Sequence, residues 1–218
     1  SIHSTLFSNN KIIFSNSGVY PQSWLGYYNQ LANDYFFELS DETFYGGIIE
    51  FEYSSFDNSI ILNNYYSLEN NILGGNNGIF NSEWADGFMT INHIINDNFD
   101  NIWIANPYSE LNNNIIAINS NNQWYHIQDN NDGYIPKEIA LDKNNNLWIS
   151  YLFSEKMNES SPYSPGGIRM VEFNDINNQF DDIWHINWLD ELQNLNIWSL
   201  VISDDRYGNE ILWVMTDY

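Results

Sequence analysis

Cysteine is absent from this 218-residue chain, and with it disulfides, thiol catalysis and Cys-ligated zinc or iron–sulfur sites. That absence fits an oxidising or a reducing compartment equally. Cations are scarce as well: 6 Lys and Arg stand against 29 Asp and Glu, for a formal charge of -23. A nucleic-acid binder neutralises phosphates with Lys and Arg, so this composition all but removes that class. It also disfavours adhesion to an anionic membrane surface. No apolar run approaches the ~20 residues a membrane helix needs. The N-terminus lacks a basic segment followed by an apolar run, so no signal peptide is visible, and the chain opens at Ser1. Either a leader has been removed or the chain is an excerpt. Residues 211–218 read as a strand that stops without a turn or a partner, which favours the excerpt.

What the chain has is apolar surface and asparagine. Hydrophobic residues make up 43 % and aromatics 17 %, with 9 Trp, 15 Tyr and 13 Phe. That is enough for a sizeable core, and flat rings pack well on pleated sheets. Asparagine occurs 37 times. Asn tolerates the left-handed conformation and bonds its own backbone, so Asn112-Asn113-Asn114, Asn121-Asn122 and Asn144-Asn145-Asn146 read as tight turns between apolar runs. An AT-rich genome would enrich Asn and Ile but also Lys. With Lys scarce, the acidity reads as selected, as in proteins facing salty or extracellular surroundings.

Self-comparison reveals a repeat. Asp97 is followed six residues on by Trp103, and Asp142 six residues on by Trp148. A third copy pairs Asp204 with Trp213 nine residues on, which implies three extra residues in the turn. The physical reading is a strand, a turn opened by Asp, and a second strand carrying an inward-facing Trp whose removal typically costs ~3–5 kcal/mol. The flanks recur too: Gly166-Gly167-Ile168 and Ile183-Trp184-His185 after Trp148, Ile115-Ile116 and Gln123-Trp124-Tyr125-His126 after Trp103. A more divergent copy runs from Trp24-Leu25-Gly26 to Gly46-Gly47-Ile48. In Ile49, Phe51 and Tyr53 one face is apolar, with Glu50 and Glu52 on the other. Helical patterning is weak and confined to residues 188–193.

Units of about four strands, 45 residues apart between Trp103 and Trp148, point to an all-β fold: a β-propeller arc of three to four four-stranded blades. A β-sandwich and a β-solenoid are the competing architectures. The blades fall near residues 1–70, 89–130, 135–188 and an incomplete 196–218. Such an arc is expected to be part of a larger propeller whose remaining blades belong to the same chain, and it would leave an apolar face open at each end.

The Asp–turn–Trp copies, followed by Ile and a small residue and then by a Gly-Gly-Ile strand, resemble the two-component regulator propeller repeat. The resemblance covers residues 91–218, with a looser copy from Trp24 to Phe51. It departs where Asp100 and Asn145 replace the turn glycine and where the Asn114 copy lacks Gly-Gly. It implies a non-enzymatic extracytoplasmic propeller, as in glycan-sensing periplasmic regions of hybrid histidine kinases and in a surface component of the type IX secretion machinery. It carries no catalytic residues onto this chain. The Asp and Trp positions match structural ones.

The chemistry-bearing residues agree with that reading. The four histidines, His3, His93, His126 and His185, show no metal-ligand spacing. The carboxylate pairs Asp181-Asp182, Asp190-Glu191 and Asp204-Asp205 sit on strands or turns, where neighbours diverge or are solvated, rather than as an acid and a nucleophile. Asp97 with Asp100, or Asp204 with Asp205 and Glu210, supplies hard oxygens for a calcium ion as a minority reading; no other cofactor is expected. Tyr163, in the inserted loop 154–165, and Tyr108 and Trp84, in irregular stretches, are the candidate ligand contacts for a glycan or protein partner. The expected function is a non-catalytic binding module. The alternative is a polysaccharide-active hydrolase or lyase with groups converging at a central channel.

Overall fold

The computed structural model describes residues 2–8, 10–17, 46–66, 90–107, 115–118, 124–127, 135–154, 164–174, 179–186, 192 and 194–217. They form an all-β molecule of fourteen strands in four antiparallel sheets. The first sheet holds β1 (Ile2–Ser8), β2 (Lys11–Ser17), β3 (Gly46–Ser54) and β4 (Ser59–Tyr66). The second holds β5 (His93–Asn96), β6 (Ile102–Ala105), β7 (Ile115–Ile118) and β8 (Trp124–Ile127). The third holds β9 (Ile135–Leu141), β10 (Leu147–Ser154), β11 (Ser164–Asn174) and β12 (Gln179–Ile186). The fourth has two strands, β13 (Ile197–Asp204) and β14 (Glu210–Thr216). In every sheet spatial order equals chain order, so each is a simple up-and-down meander. No helix among the described residues is long and apolar enough to cross a membrane.

Local chemistry explains the meanders. Ile, Val and aromatic runs suit the pleat. The reversals fall on residues that accept positive φ: Asn10, Asn58, Asp100, Asn145 and Asn194 among non-glycines. Four of those five are Asn, so the abundant asparagine does supply left-handed turn positions. The first unit, read as residues 1–70 with a divergent repeat copy from Trp24, opens on a hairpin that the repeat did not single out. β1 and β2, joined through Asn10 and in register from Ser8↔Lys11 to Ser4↔Ser15, are the first two strands of that sheet. Leu6 and Ile13 on either side of an Asn pair were the hairpin signal; Trp24 lies outside the described residues. Of the segment 188–193, where a helical turn was expected, only Leu192 is described.

Successive sheets pack face to face, touching chiefly through their first two strands: β1 against β5, β5 and β6 against β9, β9 and β10 against β13. The core is accordingly three layers rather than one. Ile13 and Ile48 meet Ile94 and Ile104 between the first two sheets. Trp103 and Ala105 meet Ile139, Ile149 and Tyr151 between the second and third. Ile168 and Trp148 meet Ile197, Leu200 and Leu212 between the third and fourth. The alternation in β3 has an unexpected sense: Glu50 is the buried member, 2 % exposed, while Tyr53 on the opposite face is open. The Lys11 ammonium 3.1 Å from Glu50 and the Asn63 amide compensate that buried charge.

β11 comes so close to the segment before β13 that a side chain cannot fit. Gly166 has φ +69, and a Cβ there would lie 2.3 Å from the Leu195 carbonyl oxygen. Gly208 also has positive φ, yet a Cβ would meet nothing within 4 Å. Gly208→Ala should therefore cost only the left-handed strain of about 1–2 kcal/mol. Gly166→Ala should add a backbone clash and cost at least about 2 kcal/mol more. Urea midpoints of the two variants check this; equal losses would contradict the close approach.

Candidate functional site

Among the described residues, the repeated Asp turns are the most heavily bonded polar features. In the β5–β6 turn the Asp97 carboxylate accepts four N–H groups. Oδ1 takes the Phe99 and Asn101 amides, each at 2.9 Å; Oδ2 takes Asn101 Nδ2 at 2.7 Å and Trp103 Nε1 at 3.0 Å. The β9–β10 turn repeats the set: Asp142 Oδ1 takes Asn144 and Asn146, and Oδ2 takes Asn146 Nδ2 at 2.8 Å and Trp148 Nε1 at 3.2 Å. The backbone closes identically, with Asp100 N–H and Asn145 N–H donating to the carbonyls of Asp97 and Asp142. This is a turn whose fourth residue is left-handed, which is why Asp100 and Asn145 stand where glycine would. Sequence spacing placed the Asp and the Trp on one hairpin. The structure adds that the two are hydrogen-bonded to each other and that an Asn four residues after the Asp is a third member.

The third copy corrects the sequence alignment. The turn aspartate is Asp205, not Asp204. Its Oδ1 accepts Tyr207 and Asn209 amides at 2.7 and 2.9 Å, its Oδ2 accepts Asn209 Nδ2 at 3.0 Å, and Gly208 N–H donates to its carbonyl. No residues are inserted; Gly208 is the left-handed fourth position. The Asn four residues on, shared by Asn101, Asn146 and Asn209, was the signal that would have fixed this register. Six residues after Asp205 stands Ile211, so the indole lock is missing. Trp213 is not an inward anchor: it is 57 % exposed, and its Nε1 donates to Ser203 Oγ at 2.8 Å.

Contacts of this kind account for Asp97, Asp204, Asp205 and Glu210, which sequence reading weighed for other chemistry. Asp204 is held by the Lys143 ammonium at 2.5 Å, and Glu210 accepts the Lys143 amide at 2.7 Å. The bond to Asp204 raises the Lys143 pKa, and the Asn209 side chain, first among its donors, lowers that of Asp205. A calcium ion at Asp97, or at Asp204, Asp205 and Glu210, would have to displace amide donors and an ammonium group. Among the described residues, no three His, Asp or Glu side chains converge as a metal-binding group. Tyr163, Tyr108 and Trp84 lie outside the described residues, as does Asp190-Glu191.

Sequence reading also missed a ladder that runs across the sheets through their first strands. Ile94 N–H donates to Ser4 Oγ at 3.3 Å, Ile139 N–H to His93 Nδ1 at 3.1 Å, and Leu200 N–H to Glu138 Oε2 at 2.9 Å. Each acceptor belongs to the preceding sheet. His93 and Glu138 both stand four residues before their turn aspartate, a regularity visible only once the partners are known. Accepting at Nδ1 requires the neutral tautomer with its proton on Nε2. Burial lowers the His93 pKa, against the pull of Glu138.

Comparison with known proteins adds a fold likeness. No protein-family profile matches the chain, and no curated protein matches it. Among solved structures, PorZ of Porphyromonas gingivalis, described as an essential bacterial surface component of the type-IX secretion system, is similar in fold. The TM-score is 0.51 at 12 % identity, over 98 % of this chain and 24 % of that one. The extracellular domain of a hybrid two component system from B. thetaiotaomicron matches with a TM-score of 0.42 at 12 % identity, over 100 % of this chain and 26 % of that one. The chain thus spans about a quarter of either protein's length.

Two outcomes test the geometry. Asp97→Ala strands four donors, one of them the indole of a Trp 1 % exposed, and should cost about 2–4 kcal/mol. Asp205→Ala, in an exposed turn without an indole, should cost clearly less; chemical unfolding ranks the two, and the reverse order would contradict the lock. The second outcome concerns pH. The unfolded chain takes up a proton at His93 near pH 6.5, whereas the folded chain does so only at lower pH. Stability is therefore full above about pH 6.5 and declines as pH falls from there to the lowered folded value. His93→Gln keeps an acceptor and should flatten that decline relative to wild type; superimposable pH profiles would refute it.

Proposed function

We propose that this chain is an arc of a β-propeller, of the two-component regulator type, serving as a non-catalytic binding module of a larger extracytoplasmic protein. The observation that carries the reading is the first-strand ladder. Meandering sheets joined in series along their first strands, with contact fading toward the outer strands, is the arrangement expected of blades around a common axis. The fold likeness to a surface protein of a secretion system supports the extracytoplasmic setting, and the acidity of the chain suits it. The described turn carboxylates are engaged by the chain's own donors, which favours binding over acid–base chemistry at those positions.

A glycan or a protein is the partner class, and the segments around Tyr163, Tyr108 and Trp84 are the contact candidates. The test is an array of polysaccharides probed with the natural polypeptide, with reducing-end release measured in parallel. Binding without bond cleavage, weakened by Tyr163→Ala, is the expected outcome. Turnover of any bound polysaccharide would replace this reading with the hydrolase or lyase alternative.

A further inference from the structure

The ladder has a rule, and the rule leaves an open rung. In the second and third sheets, the residue whose N–H donates backward is followed in space by an acceptor one position earlier. Ile94 donates and His93 accepts; Ile139 donates and Glu138 accepts. The donor's side chain faces the preceding sheet and the acceptor's side chain faces the following one, as β-strand alternation requires. In β13 the donor is Leu200, so the acceptor position is Ser199. Its register partner is Met215, and Val201 opposite Trp213 shares that face. The other face of β13 and β14, with Leu200, Leu212 and Val214, is already packed on the third sheet. Val201, Trp213 and Met215 are instead 53, 57 and 57 % exposed, an apolar cluster on a sheet that has two strands among the described residues, with no further strand on β14 there.

We infer that Ser199 and the Val201–Trp213–Met215 face are the docking surface for the next four-stranded sheet of the natural polypeptide, whose first strand donates a backbone N–H to Ser199 Oγ. Continuity with three existing joints, each a first-strand N–H on a side-chain acceptor of the preceding sheet, selects that occupant, although Leu200 lies two residues further from its turn aspartate than Ile94 and Ile139 do from theirs. The matching half of such a joint is visible at the opposite end of the chain. There the first sheet turns Phe7, Ile12, Phe14 and Tyr53 outward on the face away from the second sheet, beside Thr5, one position after the acceptor Ser4. This inference rests on the propeller reading and adds the residues of the joint.

Because the chain has no cysteine, Val201→Cys introduces a single thiol reporter. Maleimide labelling, read by peptide mass spectrometry, should be about 100-fold slower in the natural polypeptide, expressed from its whole reading frame, than in the 218-residue chain. Ser199→Ala should lower the unfolding midpoint of the natural polypeptide and leave that of the 218-residue chain unchanged. Equal labelling rates overturn the inference. Protection that appears in the 218-residue chain as its concentration rises assigns the face to a second copy, and overturns the stated occupant. Protection that Ser199→Ala does not affect overturns the hydrogen-bonded joint. Small-angle scattering of the natural polypeptide tests the propeller reading separately. A closed ring with a reactive thiol sinks the joint alone, and an open particle with a protected thiol sinks the propeller alone.

Discussion

The first strand of each sheet is an edge, and an edge carries N–H groups that its own sheet cannot satisfy. This fold meets that requirement by lending each first strand a side-chain acceptor from the preceding sheet: Ser4 for Ile94, His93 for Ile139, Glu138 for Leu200. Three chemically different acceptors fill one geometric role. The ladder fixes how far each sheet can slide along its neighbour, and the apolar layers then set the separation. Small residues at the crowded second-strand positions, Ser15, Ala105 and Ser150, let the strands approach; Ser150 both accepts from and donates to the Glu138 backbone.

The acidic composition has a matching physical use. A carboxylate is acceptor-only and can hold four donors, so one Asp closes a turn, fixes an Asn and orients an indole. The indole then reaches the interface with the following sheet. Turn closure and sheet packing are coupled through a single side chain, which is why Asp97 and Asp142 matter more than their surface-turn sequence context suggests. The third copy shows the same turn without that coupling, since Ile211 replaces the indole and Trp213 is left on an open face.

Much of the fold was legible in the sequence. Antiparallel strands, their turns and their all-β grouping follow from the alternation of Ile and aromatics between Asn-rich spacers. The Asp–Trp pairing was visible at Trp103 and Trp148 because the spacing was constant. It failed at Trp213, where the eye follows the indole although Asn209, four residues on, marks the true turn aspartate, Asp205. The first hairpin was missed because it has no Asp or Trp, only Asn10 and flanking apolar residues. The ladder was illegible for a different reason: Ser, His and Glu share no sequence signature, and their common role exists only between sheets. The burial of Glu50 was likewise hidden, since its compensation by Lys11 and Asn63 comes from two other strands.

Native-state amide exchange at Ile94, Ile139 and Leu200 tests the ladder most directly. These N–H groups leave their own sheets, so only a bond from the neighbouring sheet can slow them. Exchange should be slow at all three, and Glu138→Ala should release Leu200 selectively while Ile94 stays slow. Exchange at the rate of an open edge strand in the unmodified chain would contradict the account.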